Sequence, residues 1–308
     1  MDQTVLKTTG LTKKYKGELG QKDFLALENL NLEIKQGEVF GFLGPNGAGK
    51  STTIKLLARL LHPTRGDIQI FGESNKYPKA MNRVGYMPEQ PSLYGYLTGR
   101  EFLQYMARLY GLRKSQSQKA IETLMQIVGL PQKKDHAIRG YSRGMVQRLA
   151  LAQALINDPD LLILDEPMAN LDPVGRKDFR DLILELKNKG KTIFFSSHIL
   201  NDAEMIADRV GILNQGHLVK ISAMQDLINQ DVSVEITFHT NATTLEGSQL
   251  SNHIYAQQGE TYMIRIPQND TQKTIESLSQ AQVEILAVIP QRITLEDIFM
   301  KEIGGNTK

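Results

Sequence analysis

The chain has 308 residues, a length for one large domain or two smaller ones. Hydrophobic residues make up 41%, enough for a sizeable core, and a formal net charge of +2 gives no bulk attraction to nucleic acid or a membrane surface. There is no cysteine, which excludes disulfides and thiolate metal sites and fits a cytoplasmic setting. Residues 1–7 lack a charged-then-apolar leader pattern, and no apolar run approaches the roughly 18 residues needed to cross a bilayer. A membrane role is therefore expected to use a partner.

Residues 4 to 42 read as β-rich, with apolar alternation in the second half of Ala26–Ile34 and a turn at Lys35-Gln36-Gly37. Glu38–Leu43 reads as a buried strand and Lys50–Leu61 as a helix. Between them, Gly44-Pro45-Asn46-Gly47-Ala48-Gly49-Lys50-Ser51 fits the phosphate-binding loop pattern of a Gly, four residues, then Gly-Lys-Ser. Glycines let the backbone turn its N–H groups onto phosphates, and the positive helix start adds to that field. Lys50 is expected to reach the β- and γ-phosphates, and Ser51 to place its hydroxyl on Mg²⁺.

Asp67–Phe71 is the next predicted strand, closed by Gly72. From Thr98 to about Gly129, Phe102, Met106, Leu109 and Tyr110, then Ile121, Leu124, Met125 and Val128, recur at helical spacing. This stretch reads as part of a helical insert over about 91–157. Strands resume at Leu161–Leu164 and Thr192–Phe195, apolar enough to be buried on both faces. Asp165 and Glu166 close the first. Neighbouring strand residues point opposite ways, so the two carboxylates cannot share a role. One is expected to hold Mg²⁺, and the other to orient or deprotonate water. A short helix near 221–230 leads out of this core. Strands at 232–238, 262–266 and 283–288 and helices at Thr274–Gln280 and Thr294–Ile303 then make a small α+β appendage. The expected fold is thus α/β, with one domain over 1–222 and an accessory α+β domain over 223–308.

At this point the order of motifs resembles the ATP-binding subunit of an ABC transporter, over essentially residues 1–222. Walker A matches Gly44–Thr52, bringing in Asn46, Gly47, Gly49, Lys50, Ser51 and Thr52 as phosphate contacts. Walker B matches Leu161–Glu166. The signature element matches Tyr141-Ser142-Arg143-Gly144-Met145, and the Q-loop glutamine is Gln90. The D-loop is Ala169-Asn170-Leu171-Asp172, and the switch histidine is His198. Tyr15 stands where family members stack an aromatic ring on adenine. The resemblance implies a P-loop NTPase cassette that uses ATP and Mg²⁺. Asp165 is then the metal carboxylate with Ser51 and Gln90, and Glu166 the catalytic base beside His198.

Ser142 and Gly144 open a predicted helix, Met145–Ile156, whose hydroxyl, free N–H groups and dipole make an anion site. With a phosphate loop already complete, this second site suits the nucleotide of another copy. The resemblance implies two subunits holding two ATP molecules between them. Arg143, Met145, Pro91–Glu101 and Thr294–Phe299 resemble the branch that pairs with small export-type permeases. The implied function is a motor subunit driving a separate membrane permease from the cytoplasmic face. A soluble ATPase of this family acting on ribosomes or nucleic acid is the alternative. Near-neutral charge, a single cassette and the absence of a long heptad run argue against it, and no nucleic-acid partner is expected.

Overall fold

The structure is a computed structural model that describes residues 3–17, 22–228, 233–240, 254–281, 283–291 and 294–304. The chain forms two compact units, Met1–Met224 and Gln225–Lys308. The first begins with strands β1 (Thr4–Tyr15), β2 (Phe24–Lys35) and β3 (Val39–Leu43), which runs into helix α1 (Lys50–Leu57). Next come β4 (Arg65–Ile70), β5 (Glu73–Ser74), α2 (Pro78–Met81) and β6 (Val84–Met87). The helices α3 (Gly99–Leu109), α4 (Lys114–Ile127) and α5 (Arg143–Ala154) follow. β7 (Leu161–Leu164), α6 (Pro173–Asn188), β8 (Thr192–Ser197), α7 (Leu200–Ile206), β9 (Arg209–Asn214) and β10 (His217–Ala223) complete the unit.

Two sheets share one core. The first is antiparallel, in the order β2-β1-β4-β5; the second runs β10-β9-β3-β8-β7-β6 and is parallel from β9 to β6. Every residue of β3, β7 and β8 is buried, which is why β3 and β7 carry no polar side chain, while β8 is apolar at Ile193–Phe195 and buries Thr192, Ser196 and Ser197. Phe40 of β3 stacks on Phe194 of β8, with ring centroids 5.9 Å apart. The same cluster draws in Leu6, Leu11 and Leu30 from the first sheet. Because β3, β7 and β8 are parallel, their carboxyl ends share one sheet edge. The segments that follow them carry Lys50, Asp165 with Glu166, and His198. Loops beyond the carboxyl ends of parallel strands are where α/β folds place their ligands.

Several boundaries differ from the sequence reading. α1 stops at Leu57 rather than Leu61. The Arg59 N–H donates to Leu56 O (3.1 Å) and the Leu60 N–H to Lys55 O (2.8 Å), with Arg59 at φ 59. This is a Schellman ending with arginine where glycine is usual, so no punctuation marks it in the sequence. α5 starts at Arg143, two residues before the expected Met145, and ends at Ala154. Ser142 caps it by accepting the Met145 N–H at 3.3 Å. Ile221, expected in a helix, lies in β10. β9 and β10 went unread because their two-residue turn, Gln215 (φ 47) and Gly216 (φ 82), lacks the usual Asn-Gly or Asp-Gly signal.

The second unit opens within α8 (Met224–Ile228), shorter than the helix expected over 221–230, of which 229 and 230 lie outside the described residues. It continues with β11 (Ser233–His239), β12 (Ile254–Gln258), β13 (Thr261–Pro267), α9 (Thr271–Gln280), β14 (Glu284–Gln291) and α10 (Leu295–Gly304). Its antiparallel sheet has the order β12-β13-β11-β14. Val234, Ile236 and Phe238 point inward with period two, onto Tyr262, Ile264, Ile266 and Leu278 of α9. β12, with only Ile254 and Tyr255 to signal it, is the strand of this unit that the sequence did not announce.

Candidate functional site

The loop between β3 and α1 is held by glycines at two close approaches. A Cβ on Gly44 would lie 2.4 Å from Leu213 O, and one on Gly49 would lie 2.4 Å from Ala26 O. Gly47 (φ 81) and Gly49 (φ 107) also occupy the left-handed half of the backbone map. Gly49 is the N-cap of α1 and supplies no side chain, so the first N–H groups of the helix stay available to a ligand. Lys50 is only 6% exposed. Its Nζ donates to Gly44 O (2.8 Å) and Pro45 O (3.2 Å) and lies 3.2 Å from Glu166 Oε1. A buried ammonium is tolerated here because carbonyls and a carboxylate surround it.

The two carboxylates after β7 diverge, though not by strand alternation. β7 ends at Leu164, and Glu166 takes a left-handed φ of 46. Such backbone in a non-glycine residue costs of order 1–3 kcal/mol and is kept where its surroundings enforce it. Ser196 of β8 supplies the enforcement. Its hydroxyl donates to Asp165 Oδ1 at 2.8 Å and accepts the Glu166 N–H at 2.9 Å. Asp165 Oδ1 also accepts the Ser51 hydroxyl at 3.2 Å. Burial raises the Asp165 carboxyl above its ordinary value, against the lowering effect of those two hydroxyls. Glu166 Oε2 lies 2.8 Å from His198 Nδ1 and accepts the His198 N–H at 3.3 Å. Glu166 thus sits between a lysine and an imidazole.

A cavity of about 610 Å³ opens beside these groups. Asn46, Gly47, Gly49, Lys50, Ser51 and Thr52 line it, as do Glu166 and His198. Tyr15, Gln90, Ser142, Gly144 and Asp172 do not, and Asp165 reaches the cavity only through its bond to Ser51. Gln90 is exposed and borders a neighbouring cavity of about 350 Å³, while Glu89 lines both. Gln90, the expected amide ligand, is thus outside the lining of the Lys50 cavity, and its neighbour Glu89 is within it. Asp172 is exposed and caps α6, accepting the Gly175 N–H at 2.9 Å. Asn170, held at φ 64, lines the cavity instead. Tyr15 lies directly across the ladder from Phe24, and Phe24 is the aromatic of that pair in the lining.

Sequence reasoning missed four contributors. Ser196 looked like ordinary strand polarity within Phe195-Ser196-Ser197-His198; only a polar pair inside an apolar strand hinted at it. Gln147 of α5 is buried, and its Nε2 reaches Glu89 O (3.4 Å) and Pro167 O (3.3 Å), tying the signature helix to two site loops. Phe24 and Glu89 gave no signal, because nothing local says which face of a strand or loop meets a cavity.

Residues 27–169 match the family model described as ABC transporter. The bacitracin transport ATP-binding protein of Bacillus licheniformis is 37% identical over 313 residues, covering 99% of each chain. An uncharacterised ABC transporter ATP-binding protein of Nostoc sp. is 39% identical over 305 residues, 97% of this chain and 90% of that one. Among solved structures, a dimeric ATP-binding cassette in a post-hydrolysis state with ADP and Pi aligns with a TM-score of 0.65 and 26% identity. It covers 71% of this chain and 98% of its own. An ATP-binding subunit of an ABC transporter aligns with a TM-score of 0.63 at 30% identity, over 80% of this chain and 97% of its own.

Proposed function

This chain belongs to the ABC transporter family, as one of its ATP-binding, ATP-hydrolysing subunits; on that premise we propose that the Lys50 cavity is where its ATP is held and cleaved, with Glu166 as general base. The observation that carries this reading is the chain of contacts from Lys50 through Glu166 to His198 along one cavity. The open N–H groups of α1 and Lys50 hold the phosphates. Phosphate entry draws Lys50 away from Glu166, whose freed carboxylate then accepts the proton of the attacking water. His198 holds that carboxylate through Nδ1. Its Nε2 can donate to a phosphate only when the ring carries both protons.

Ser51 and Asp165 fit Mg²⁺. Both are hard oxygen donors, their oxygens are 3.2 Å apart, and the Asp165 carboxyl is raised by burial, as a carboxylate short of cationic compensation would be. Bound there, the ion neutralises phosphate charge. Gln90 joins it only if its loop moves.

The signature start at Ser142 and Gly144 serves the nucleotide of a second copy in an ATP-held dimer. The permease docks beside the insert, where Tyr94 packs edge-on against Tyr105 (5.7 Å) and Tyr96 is 75% exposed. No helix among the described residues is long and apolar enough to cross a membrane, which fits a subunit held at the cytoplasmic face by its permease. Export is the direction assigned from the resemblance of Pro91–Glu101 to the export-type branch.

The test is Glu166→Gln. Turnover should fall about 10²–10⁴-fold with ATP affinity retained. The same variant should sediment as a dimer with ATP and as a monomer with ADP. Near wild-type turnover would remove Glu166 from the mechanism.

A further inference from the structure

We infer that Ser196 is a positioning residue for hydrolysis: its buried hydroxyl, anchored on Asp165, holds Glu166 where a general base must stand. The inference rests on reading the Lys50 cavity as the ATP site with Glu166 as base. It gives a role to a residue that the family resemblance leaves without one. The β7–β8 ladder ends at the pair Leu164 and Phe195. One residue further on, a side chain takes over from backbone pairing. Ser196 is fully buried, and both of its hydroxyl bonds leave its own strand. A hydroxyl has one proton and two lone pairs. The proton goes to Asp165 Oδ1 at 2.8 Å, which turns a lone pair toward the Glu166 N–H at 2.9 Å. A serine that merely tolerated burial would bond the backbone of its own strand. This one joins the two carboxylate residues, 31 and 30 positions away.

What the clamp holds is a strained residue. Glu166 stands at φ 46, and its carboxylate lies 2.8 Å from His198 Nδ1 and 3.2 Å from Lys50 Nζ. A non-glycine residue stays in the left-handed region only while its surroundings enforce it. Without the Ser196 oxygen, the Glu166 N–H is buried with its acceptor gone. The backbone then turns to find another and carries the carboxylate away from His198 and Lys50. Asp165 is affected less, because its Oδ1 keeps the Ser51 hydroxyl at 3.2 Å. Ser196 itself does not line the cavity. Its loss therefore acts on the chemical step, through Glu166, and not on the grip on the phosphates.

Turnover and ATP affinity are measured side by side in magnesium buffer on the full-length chain. The proteins are wild type, Ser196→Ala, Ser196→Cys, Glu166→Gln, and each Ser196 change combined with Glu166→Gln. Ser196→Cys keeps close to the serine volume but offers only a weak hydrogen-bonding group, so it carries the test where Ser196→Ala does not fold. Each Ser196 variant should lose of the order of 10²-fold in kcat, the cost of a misplacement of about 1 Å, with ATP affinity within about twofold of wild type. In the Glu166→Gln background, single-turnover rates should fall by no more than about twofold, because the base that Ser196 positions is already gone. Wild-type kcat in the Ser196 variants, a fall in ATP affinity that matches the fall in kcat, or the same loss in both backgrounds would each overturn the proposal. Near wild-type turnover in Glu166→Gln itself would instead overturn the reading of Glu166 as the base.

Discussion

Two helices of the first unit begin at glycine-containing segments, and they treat their free N–H groups in opposite ways. At α1 the cap is Gly49, no side chain satisfies the helix start, and Lys50 beside it is buried and braced by two carbonyls and Glu166. At α5 the cap is Ser142, exposed, with its hydroxyl already engaged by the Met145 N–H. The first start is preorganised: its donors are oriented, unsatisfied and sheltered, so an anion meets them at little reorganisation cost. The second is self-satisfied and open to water. On the proposed reading it adds binding energy only when a second copy brings an anion to it. Similar local chemistry leaves one helix start open and sheltered and the other capped and exposed, because burial and capping differ.

The sharpest way to break this contrast is Lys50→Met. It removes the charged donor and leaves Glu166 buried beside one partner fewer. ATP affinity measured by calorimetry should fall about 10- to 150-fold, the range for losing a hydrogen bond to a charged group. The ATP-dependent dimer should disappear with it. An unchanged affinity would mean that the brace at α1 is structural only.

Ser142→Arg probes the other start and should have a smaller, more selective effect. Monomer affinity for ATP should stay within about twofold, since Ser142 lies outside the Lys50 cavity. Loss of the cap should lower stability by about 1 kcal/mol, and Ser142→Ala shares that loss. Only the arginine variant should also weaken nucleotide-dependent association in sedimentation. If alanine and arginine weaken it equally, the cap rather than the anion site explains the effect.

The smallest effect concerns the insert that carries α5. Arg100 of α3 donates to Asp135 Oδ1 at 2.7 Å and also bonds Glu122 of α4. Lys134 and Arg100 hold the Glu122 carboxyl below its ordinary value, and Arg100 does the same for Asp135. Carboxyls depressed in the folded state stabilise it above the ordinary carboxylate range, and that stabilisation is lost as pH falls through their folded values. Hydrogen exchange should therefore show residues 99–135 loosening on acidification before the Lys50 loop does. Simultaneous loosening of both would mean the insert and the loop open as one unit.

The parts of this protein legible from its sequence are those in which one short segment does the whole job. The phosphate loop is such a segment: Gly47 and Gly49 are demanded by their left-handed backbone, and Lys50 and Ser51 follow at fixed spacing. The apolar strands Val39–Leu43 and Leu161–Leu164 are another case, because burial on both faces leaves a mark on every residue. That Ser142 opens a helix was legible too, whereas its cap on the Met145 N–H came from the structure.

What tertiary structure alone decided is which of two neighbours meets a shared space. Glu89 rather than Gln90, Asn170 rather than Asp172 and Phe24 rather than Tyr15 line the Lys50 cavity. In each case the two candidates are adjacent, two apart or opposite on a ladder, and local propensity cannot rank them. The choice comes from contacts between distant segments. Ser196 clamps Asp165 and Glu166 from 31 and 30 residues away. Gln147 holds the Glu89 backbone from 58 residues away, and the Gly49 turn closes onto Ala26. Backbone rules act over a few residues and are written in the sequence. The facing of a side chain is set by packing between strands and loops that meet only after the chain has folded.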